Sequence, residues 1–93
     1  MKYEVKWTSK FKKDYKRILK QNKDISELDN VIIKLANGEK LSKEYKDHAL
    51  EGNHKGKREC HIDPDWLLMY EYDNSLLILY LVRTGSHNEI LNI

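Results

Sequence analysis

Three histidines of this chain lie in polar segments near acidic residues and an arginine, and their types suggest one kind of chemistry. The residues concerned are His48, His61, Asp65, Arg83 and His87. Histidine titrates near neutral pH, so two histidines can divide the roles of base and acid, and arginine can bind phosphate oxygens through paired hydrogen bonds. This set suits RNA cleavage without a metal, because the 2′-hydroxyl attacks the adjacent phosphate once its proton is removed.

The stretch CHIDPDW, residues 60–66, also has a structural interpretation. Asp63 and Pro64 fit the first two positions of a turn. In the preceding stretch RECHID, a period of two places Glu59, His61 and Asp63 on one face. A zinc site built from His and Asp ligands is a weaker alternative, because no two of these residues have the close spacing typical of such sites. We therefore expect neither a metal nor another cofactor.

The composition indicates a soluble folded protein. The chain has 93 residues, of which 40% are hydrophobic and 34% are charged, and this length fits a single domain over residues 1–93. No apolar run approaches the roughly 20 residues that span a bilayer, and the first residues lack the apolar segment of a signal peptide. A lone cysteine, Cys60, fits a reducing compartment. We expect a cytoplasmic location and no membrane partner.

Positive charge is concentrated at one end of the sequence. Residues 1–23 contain nine lysines and arginines against two acidic residues, whereas the remainder contains eight against thirteen. A surface of this kind attracts polyanions by releasing counterions, so nucleic acid is the expected partner. The residues predicted to bind it are Lys10, Lys12, Lys13 and Arg17. A solvated helix face with no partner is the alternative.

Hydrophobic periodicity predicts the elements that position these residues. KYEVKW alternates as a strand does, and apolar residues recur at helical spacing from about Ser9 and again from near Ser26 to ANGEK. RECHID, WLLMYEYD and LLILYLVR are strand-like runs separated by short turns. The predicted fold is therefore α+β, in the order β-α-α-β-β-β, with a helical hairpin packed on a small, mainly antiparallel sheet.

Two segments resemble a known family. YKDHALEGNHKGKRECHIDPDWLLMY and RTGSHNEIL are similar to sequences of the YafQ family, which belongs to the RelE-like mRNA interferases of type II toxin–antitoxin systems. The resemblance covers nearly the whole chain, and it implies one toxin domain with the RelE-like, microbial RNase-like fold. It also implies a ribosome-dependent endoribonuclease that cuts mRNA in the ribosomal A site and is held inactive by a cognate antitoxin.

Roles for individual residues follow from the resemblance by position. The implied catalytic group is His48, His61, Asp65 and His87, with Arg83 as the ligand of the phosphate or transition state. We expect His87 to donate a proton to the leaving oxygen. We expect His61 or His48, helped by Asp65, to act as the base.

Two further positions are predicted to contact the substrate. Trp66 would support the site from beside it, and Leu91 stands where such toxins often carry an aromatic residue suited to packing against a base. Trp66 has an equally strong alternative role as a core anchor, since an aromatic residue that begins a strand usually packs inside.

Two other functions fit a domain of this class. One is a toxin of the same fold that lacks nuclease activity and binds a protein target such as DNA gyrase, which would not require the three histidines. The other is a nucleic-acid-binding module without catalysis. For the nuclease, the expected partners are the ribosome with its rRNA, mRNA and an antitoxin whose acidic segment folds over the basic helix and the sheet edge.

Overall fold

The computed structural model describes residues 1–91, which form three helices and one five-stranded sheet. The strands are β1 (Glu4–Trp7), β2 (His48–Ala49), β3 (Arg58–Asp63), β4 (Trp66–Asp73) and β5 (Ile78–Gly85). The helices are α1 (Ser9–Lys20), α2 (Ile25–Ala36) and α3 (His87–Leu91). Single turns of 3₁₀ helix lie at Lys43–Tyr45 and Gly52–His54. None of the helices in this part of the chain is long and apolar enough to cross a membrane.

The predicted α+β fold and its order of main elements are confirmed. The spatial order of the strands is β1-β5-β4-β3-β2, with β1 parallel to β5 and the other pairs antiparallel. Two elements were not predicted, namely the two-residue strand β2 and the five-residue helix α3. Both are too short to show a hydrophobic period, which needs several residues to become visible.

Local hydrogen bonds fix the beginnings of α1 and α2. Thr8 caps α1, since its hydroxyl oxygen accepts a hydrogen bond from the Phe11 amide at 3.2 Å and the hydroxyl also lies within 3.0 Å of two carbonyl oxygens of β5. The cap of α2 is Asp24, whose carboxylate accepts from the Ser26 amide. The second helix therefore begins one residue before Ser26, because the carboxylate of Asp24 is the better placed acceptor.

The two faces of the sheet have different roles. One face packs against α1 and α2 through a continuous hydrophobic core that includes Cys60 and Ile62 of β3. Because side chains alternate along a strand, Glu59 and His61 of β3 point to the opposite face. The alternation predicted for RECHID is confirmed as far as His61, whereas the register of β3 and β4 shifts between His61 and Asp63, which lies opposite the core residue Trp66. The face of Glu59 and His61 carries the candidate site.

The outer edge of β5 is completed by side chains of α1. The parallel pairing of β1 with β5 ends at the pair of Trp7 and Leu81. Beyond it, the Thr84 amide donates to Asp14 Oδ2 at 3.1 Å, and Arg17 Nη2 donates to the Thr84 carbonyl at 2.9 Å. These two side chains satisfy backbone groups that would otherwise be buried without partners.

Candidate active site

Strand pairing places the first group of candidate residues in one row across the sheet. His48 lies opposite Glu59, Glu59 opposite Met69, and Met69 opposite Arg83. Directly opposed residues point to the same face of a sheet. Since neighbouring strands are about 4.8 Å apart, His48 and Arg83 are separated by roughly 14 Å of backbone. These two residues therefore lie at opposite ends of the row.

A second row of paired residues lies two positions further along β3, and it contains the candidate residues that lie closest to one another. His61 lies opposite Leu67, and Leu67 lies opposite Gly85, two residues before His87. The rings of His61 and His87 have centroids 5.9 Å apart, and Asp65 Oδ1 lies 4.0 Å from His87 Nδ1. The structure thus brings His61, Asp65 and His87 together. It places Asp65 beside the predicted acid, whereas the sequence suggested that Asp65 would help the base.

A capping box sets the position of His87. The Ser86 amide donates to Glu89 Oε1 at 2.8 Å, and the Glu89 amide lies 3.2 Å from Ser86 Oγ. This reciprocal arrangement fixes the start of α3 immediately before His87. Hydrogen bonding from the Ser86 amide lowers the pKa of the Glu89 carboxyl below its usual value, although burial opposes the shift. The spacing of Ser86 and Glu89 could have indicated this helix from the sequence.

Gly85 is required by the close packing around α3. Its φ is +149°, and a Cβ at this position would lie 2.5 Å from Arg17 Nη2 and 2.9 Å from Glu89 Oε1. Both values are shorter than any ordinary van der Waals contact. The absence of a side chain at Gly85 therefore lets Arg17 and Glu89 meet directly behind the segment that leads to His87.

His48 lies at the other side of this face, between a carbonyl and a carboxylate. Its Nδ1 is 2.7 Å from the Lys46 carbonyl oxygen, and its Nε2 is 3.5 Å from Glu59 Oε1. A carbonyl can only accept a hydrogen bond, so Nδ1 carries the hydrogen in this arrangement. The His48 side chain is 49% exposed and that of Glu59 is 3% exposed. Sequence reasoning placed Glu59 on this face but assigned it no function.

Arg83 is held by a buried carboxylate. Its Nε donates to Asp14 Oδ2 at 2.6 Å, and its Nη2 donates to Asp14 Oδ1 at 3.1 Å and to the Glu89 carbonyl at 3.3 Å. Burial would raise the pKa of Asp14, but hydrogen bonds from Arg83, the Thr84 amide and Arg17 outweigh it, so the pKa lies below its usual value. The edge of the Arg83 guanidinium that carries Nε and Nη2 is therefore hydrogen-bonded to Asp14.

Arg17, which was predicted to bind substrate, makes internal contacts in the structure. Its Nη1 donates to Asp14 Oδ1 at 2.9 Å, its Nη2 donates to the Thr84 carbonyl, and its Nε lies 3.1 Å from Glu89 Oε2 without hydrogen-bond geometry. All three nitrogens thus face the protein's own acceptors. Arg17 therefore links α1 to β5 and α3, and its side chain is 33% exposed.

Trp66 is buried in the core in this structure. Its exposure is 1%, and its Nε1 donates to Thr84 Oγ1 at 2.9 Å. The Thr84 hydroxyl in turn donates to the Leu67 carbonyl at 2.8 Å. These contacts are those expected of a core anchor, because both the ring and its N–H group are satisfied inside the protein.

The remaining predicted residues lie on the surface. Lys10, Lys12 and Lys13 are exposed on α1, and within residues 1–91 they form no ion pair. Leu91 is partly exposed at the end of α3. These side chains are accessible to a partner molecule. In the same part of the chain, no group of three or more His, Cys, Asp or Glu side chains is arranged to hold a metal ion.

A cavity of about 490 Å³ opens beside His61. Its other lining residues come from the 3₁₀ turn before β2 and from the turn between β3 and β4. They are Glu44, Tyr45, Lys46, Ile62, Asp63 and Pro64. The cavity provides room for part of a ligand next to one of the two paired histidines.

Comparison with known proteins gives consistent matches over almost the whole chain. Residues 3–92 match the family described as bacterial toxin of type II toxin-antitoxin system, YafQ. The chain is 36% identical over 85 residues to mRNA interferase toxin YafQ of Escherichia coli K12, covering 90% of both proteins.

Two solved structures are similar in fold as well as in sequence. A metal-bound toxin from Helicobacter pylori has a TM-score of 0.89 and 41% identity, over 95% of this chain and 98% of that one. YafQ in the E. coli DinJ-YafQ complex has a TM-score of 0.86 and 34% identity, over 95% and 97%.

Proposed function

Because this chain belongs to the YafQ family of bacterial type II toxin–antitoxin toxins, we propose that it is a ribosome-dependent endoribonuclease that cleaves mRNA in the ribosomal A site and stops translation. Its relatives from E. coli are named mRNA interferases. We infer the cytoplasm as its place of action, since its substrate is mRNA on the ribosome. A cognate antitoxin would hold it inactive, as the DinJ complex of the E. coli relative suggests.

The observation that carries this proposal is the pairing of His61 with His87. Their ring centroids are 5.9 Å apart and both side chains are partly exposed. One phosphate group can contact both rings, so His61 and the proposed acid His87 can act on the same phosphodiester. Neither role needs a metal ion.

In the proposed reaction, a histidine removes the proton of the 2′-hydroxyl, and the 2′-oxygen attacks the adjacent phosphorus. His87 donates a proton to the leaving 5′-oxygen, so the products are a 2′,3′-cyclic phosphate and a 5′-hydroxyl. Asp65, 4.0 Å from His87 Nδ1, is placed to orient that ring. His61 and His48 are both candidates for the base.

Arg83 supplies positive charge to the phosphate in this proposal. Its Nε and Nη2 are bound to Asp14, which fixes the guanidinium in one orientation before the substrate arrives. Fixed charges aimed at a developing negative charge are efficient because they need no reorganisation during the reaction. Arg83 would therefore act through the part of its guanidinium that does not face Asp14.

Binding to the ribosome is assigned to the exposed lysines of α1. Lys10, Lys12 and Lys13 have no internal ion pairs within residues 1–91 and can meet rRNA phosphates. The cavity beside His61 and the exposed side of Leu91 are available to the mRNA. The same basic surface would attract an acidic segment of the antitoxin.

The decisive experiment is primer extension on an mRNA incubated with the purified protein, with and without ribosomes. We expect discrete cuts that require ribosomes, persist in EDTA and are lost in the His87→Gln variant. His54→Gln is the matched control, because it makes the same chemical change at a histidine outside the cluster. Cleavage that survives His87→Gln, or that needs an added metal, would contradict the proposed mechanism.

A further inference from the structure

Glu59 is a buried carboxylate with an unsatisfied oxygen. Its side chain is 3% exposed, and its Oε2 has no hydrogen-bond partner within residues 1–91. Burying a charge without compensating hydrogen bonds is costly, and folding alone gives no reason to keep one here. Such an atom in an otherwise well-satisfied fold calls for a role in function.

The neighbours of Glu59 identify the group on which it can act. Across the sheet, Glu59 lies between Met69 of β4, which is buried and apolar, and His48 of β2. On its own strand, the next side chain on the same face is His61. The contact with His48 is the direct one, with 3.5 Å between Nε2 and Glu59 Oε1.

The geometry of His48 directs a second proton toward Glu59. Its Nδ1 already donates to the Lys46 carbonyl at 2.7 Å, so Nε2 is the nitrogen that remains to accept a proton. The separation of 3.5 Å from Glu59 is longer than a hydrogen bond, and 49% of the His48 side chain is exposed. A substrate hydroxyl can therefore approach Nε2 from the open side.

We propose that Glu59 is a positioning residue for the cleavage reaction, which selects His48 as the base and stabilises the imidazolium formed there. This inference rests on the proposed nuclease function. The proton of the 2′-hydroxyl passes to His48 Nε2 while the bond from O2′ to phosphorus forms. The bond from phosphorus to O5′ breaks as His87 gives its proton to O5′, and solvent then restores both histidines.

The position of Glu59 distinguishes between the two candidate bases, His48 and His61. A proton taken up at Nε2 places a positive imidazolium 3.5 Å from Glu59 Oε1, where the two charges attract each other in a mostly buried environment. His61 has no carboxylate within ion-pair distance in the described part of the chain. Of these two histidines, only His48 has a carboxylate placed to attract the charge it gains as the base, and His61 remains to contact the phosphate.

The first test is the rate of cleavage of ribosome-bound mRNA by Glu59→Gln, which keeps the shape of the side chain and removes its charge. We expect the rate to fall at least about tenfold. In a His48→Ala background, the same substitution should have no further effect, because Glu59 acts through His48. An equal loss in both backgrounds would overturn the inference.

Thermal stability distinguishes this role from a structural one. Replacing a residue that stabilises the fold lowers the melting temperature. Replacement of an unpaired buried charge should leave the melting temperature unchanged or raise it. Glu71→Gln is the matched control, since Glu71 lies on the same face of β4 and makes no contact with the histidines. If Glu59→Gln lowered both the melting temperature and the cleavage rate, the proposal would be contradicted.

A spectroscopic test does not depend on nuclease activity. Long-range ¹H–¹⁵N spectra of the imidazole rings report how protons are distributed over the two nitrogens. We expect Glu59→Gln to change the Nε2 signal of His48 and to leave that of His54 unchanged. Identical His48 signals would overturn the role of Glu59, whereas a changed signal in a protein that cuts no mRNA would overturn only the nuclease function.

Discussion

The guanidinium of Arg83 and the carboxylate of Asp14 form a two-point contact between residues 69 positions apart in the chain. The nitrogens Nε and Nη2 of Arg83 lie 2.6 and 3.1 Å from the two carboxylate oxygens. The Asp14 side chain is only 3% exposed, and it also accepts from the Thr84 amide. This one carboxylate therefore connects α1, the edge of β5 and a proposed phosphate ligand.

Replacement of Asp14 by Asn should be strongly destabilising. It leaves the charges of Arg83 and Arg17 without their shared partner, and removing one member of a buried ion pair typically costs about 3–5 kcal/mol. We expect a loss of about 3 kcal/mol in the free energy of unfolding measured with urea. Glu27→Gln, at an exposed position of α2, is the control and should change stability by less than about 0.5 kcal/mol.

The contribution of Asp14 should depend on pH in a defined direction. Its pKa in the folded protein lies below the ordinary value of 3.8, so the folded state binds the proton less readily than the unfolded state. The stabilisation is complete above the unfolded pKa and is lost as the pH falls through the folded pKa. The melting temperatures of the native protein and Asp14→Asn should differ by a constant amount near neutral pH, and they should converge below about pH 4. A difference that stays constant down to pH 2 would contradict this.

Gly85→Ala should damage both stability and cleavage. The new Cβ would lie 2.5 Å from Arg17 Nη2 and 2.9 Å from Glu89 Oε1, so these side-chain ends must shift and give up contacts that hold α1, β5 and the start of α3 together. We expect a loss of at least about 2 kcal/mol by urea unfolding and a large loss of cleavage. Gly52→Ala is the control for backbone strain alone, because its φ is +65° and nothing lies within 4 Å of the added Cβ. Equal effects of the two substitutions would show that the contact is unimportant.

Ser86→Ala should test whether the capping box positions His87. The substitution removes the hydroxyl partner of the Glu89 amide, and loss of an N-terminal cap costs about 1 kcal/mol. We expect cleavage to fall more than this small loss of stability explains, because His87 is the first residue of α3. Ser86→Thr should restore both, since threonine also caps. Unchanged cleavage in Ser86→Ala would show that α3 needs no cap to present His87.

The exposed lysines of α1 should control binding to the ribosome. A triple Lys→Gln variant at residues 10, 12 and 13 should bind more weakly, with a salt dependence that is less steep by up to about three counterions. Cosedimentation at several salt concentrations measures both quantities. The control is a triple Lys→Gln variant at exposed positions outside the basic end, namely Lys40, Lys43 and Lys55. The same change of slope in both variants would indicate a nonspecific effect of net charge.

Prediction from sequence was most successful where the signal is a repeated pattern. The alternation in RECHID placed His61 and Cys60 on opposite faces of β3, and the structure confirms this with Cys60 at 0% exposure. It was least successful for short elements and for long side chains with two possible environments. Arg17 was assigned to the partner surface because its neighbours are lysines, yet in the fold it bonds to Asp14 and the Thr84 carbonyl.

The sequence by itself determined the order of the main elements, the basic end of the chain, the polar face of β3 and the family. These features depend on neighbouring residues, whose periodicity and charge follow directly from their order along the chain. Only the tertiary structure decided that Asp14 binds Arg83, that Asp65 lies beside His87 and that Glu59 faces His48. These contacts require specific strand registers and packing distances, because they join residues from different elements whose approach no local pattern describes.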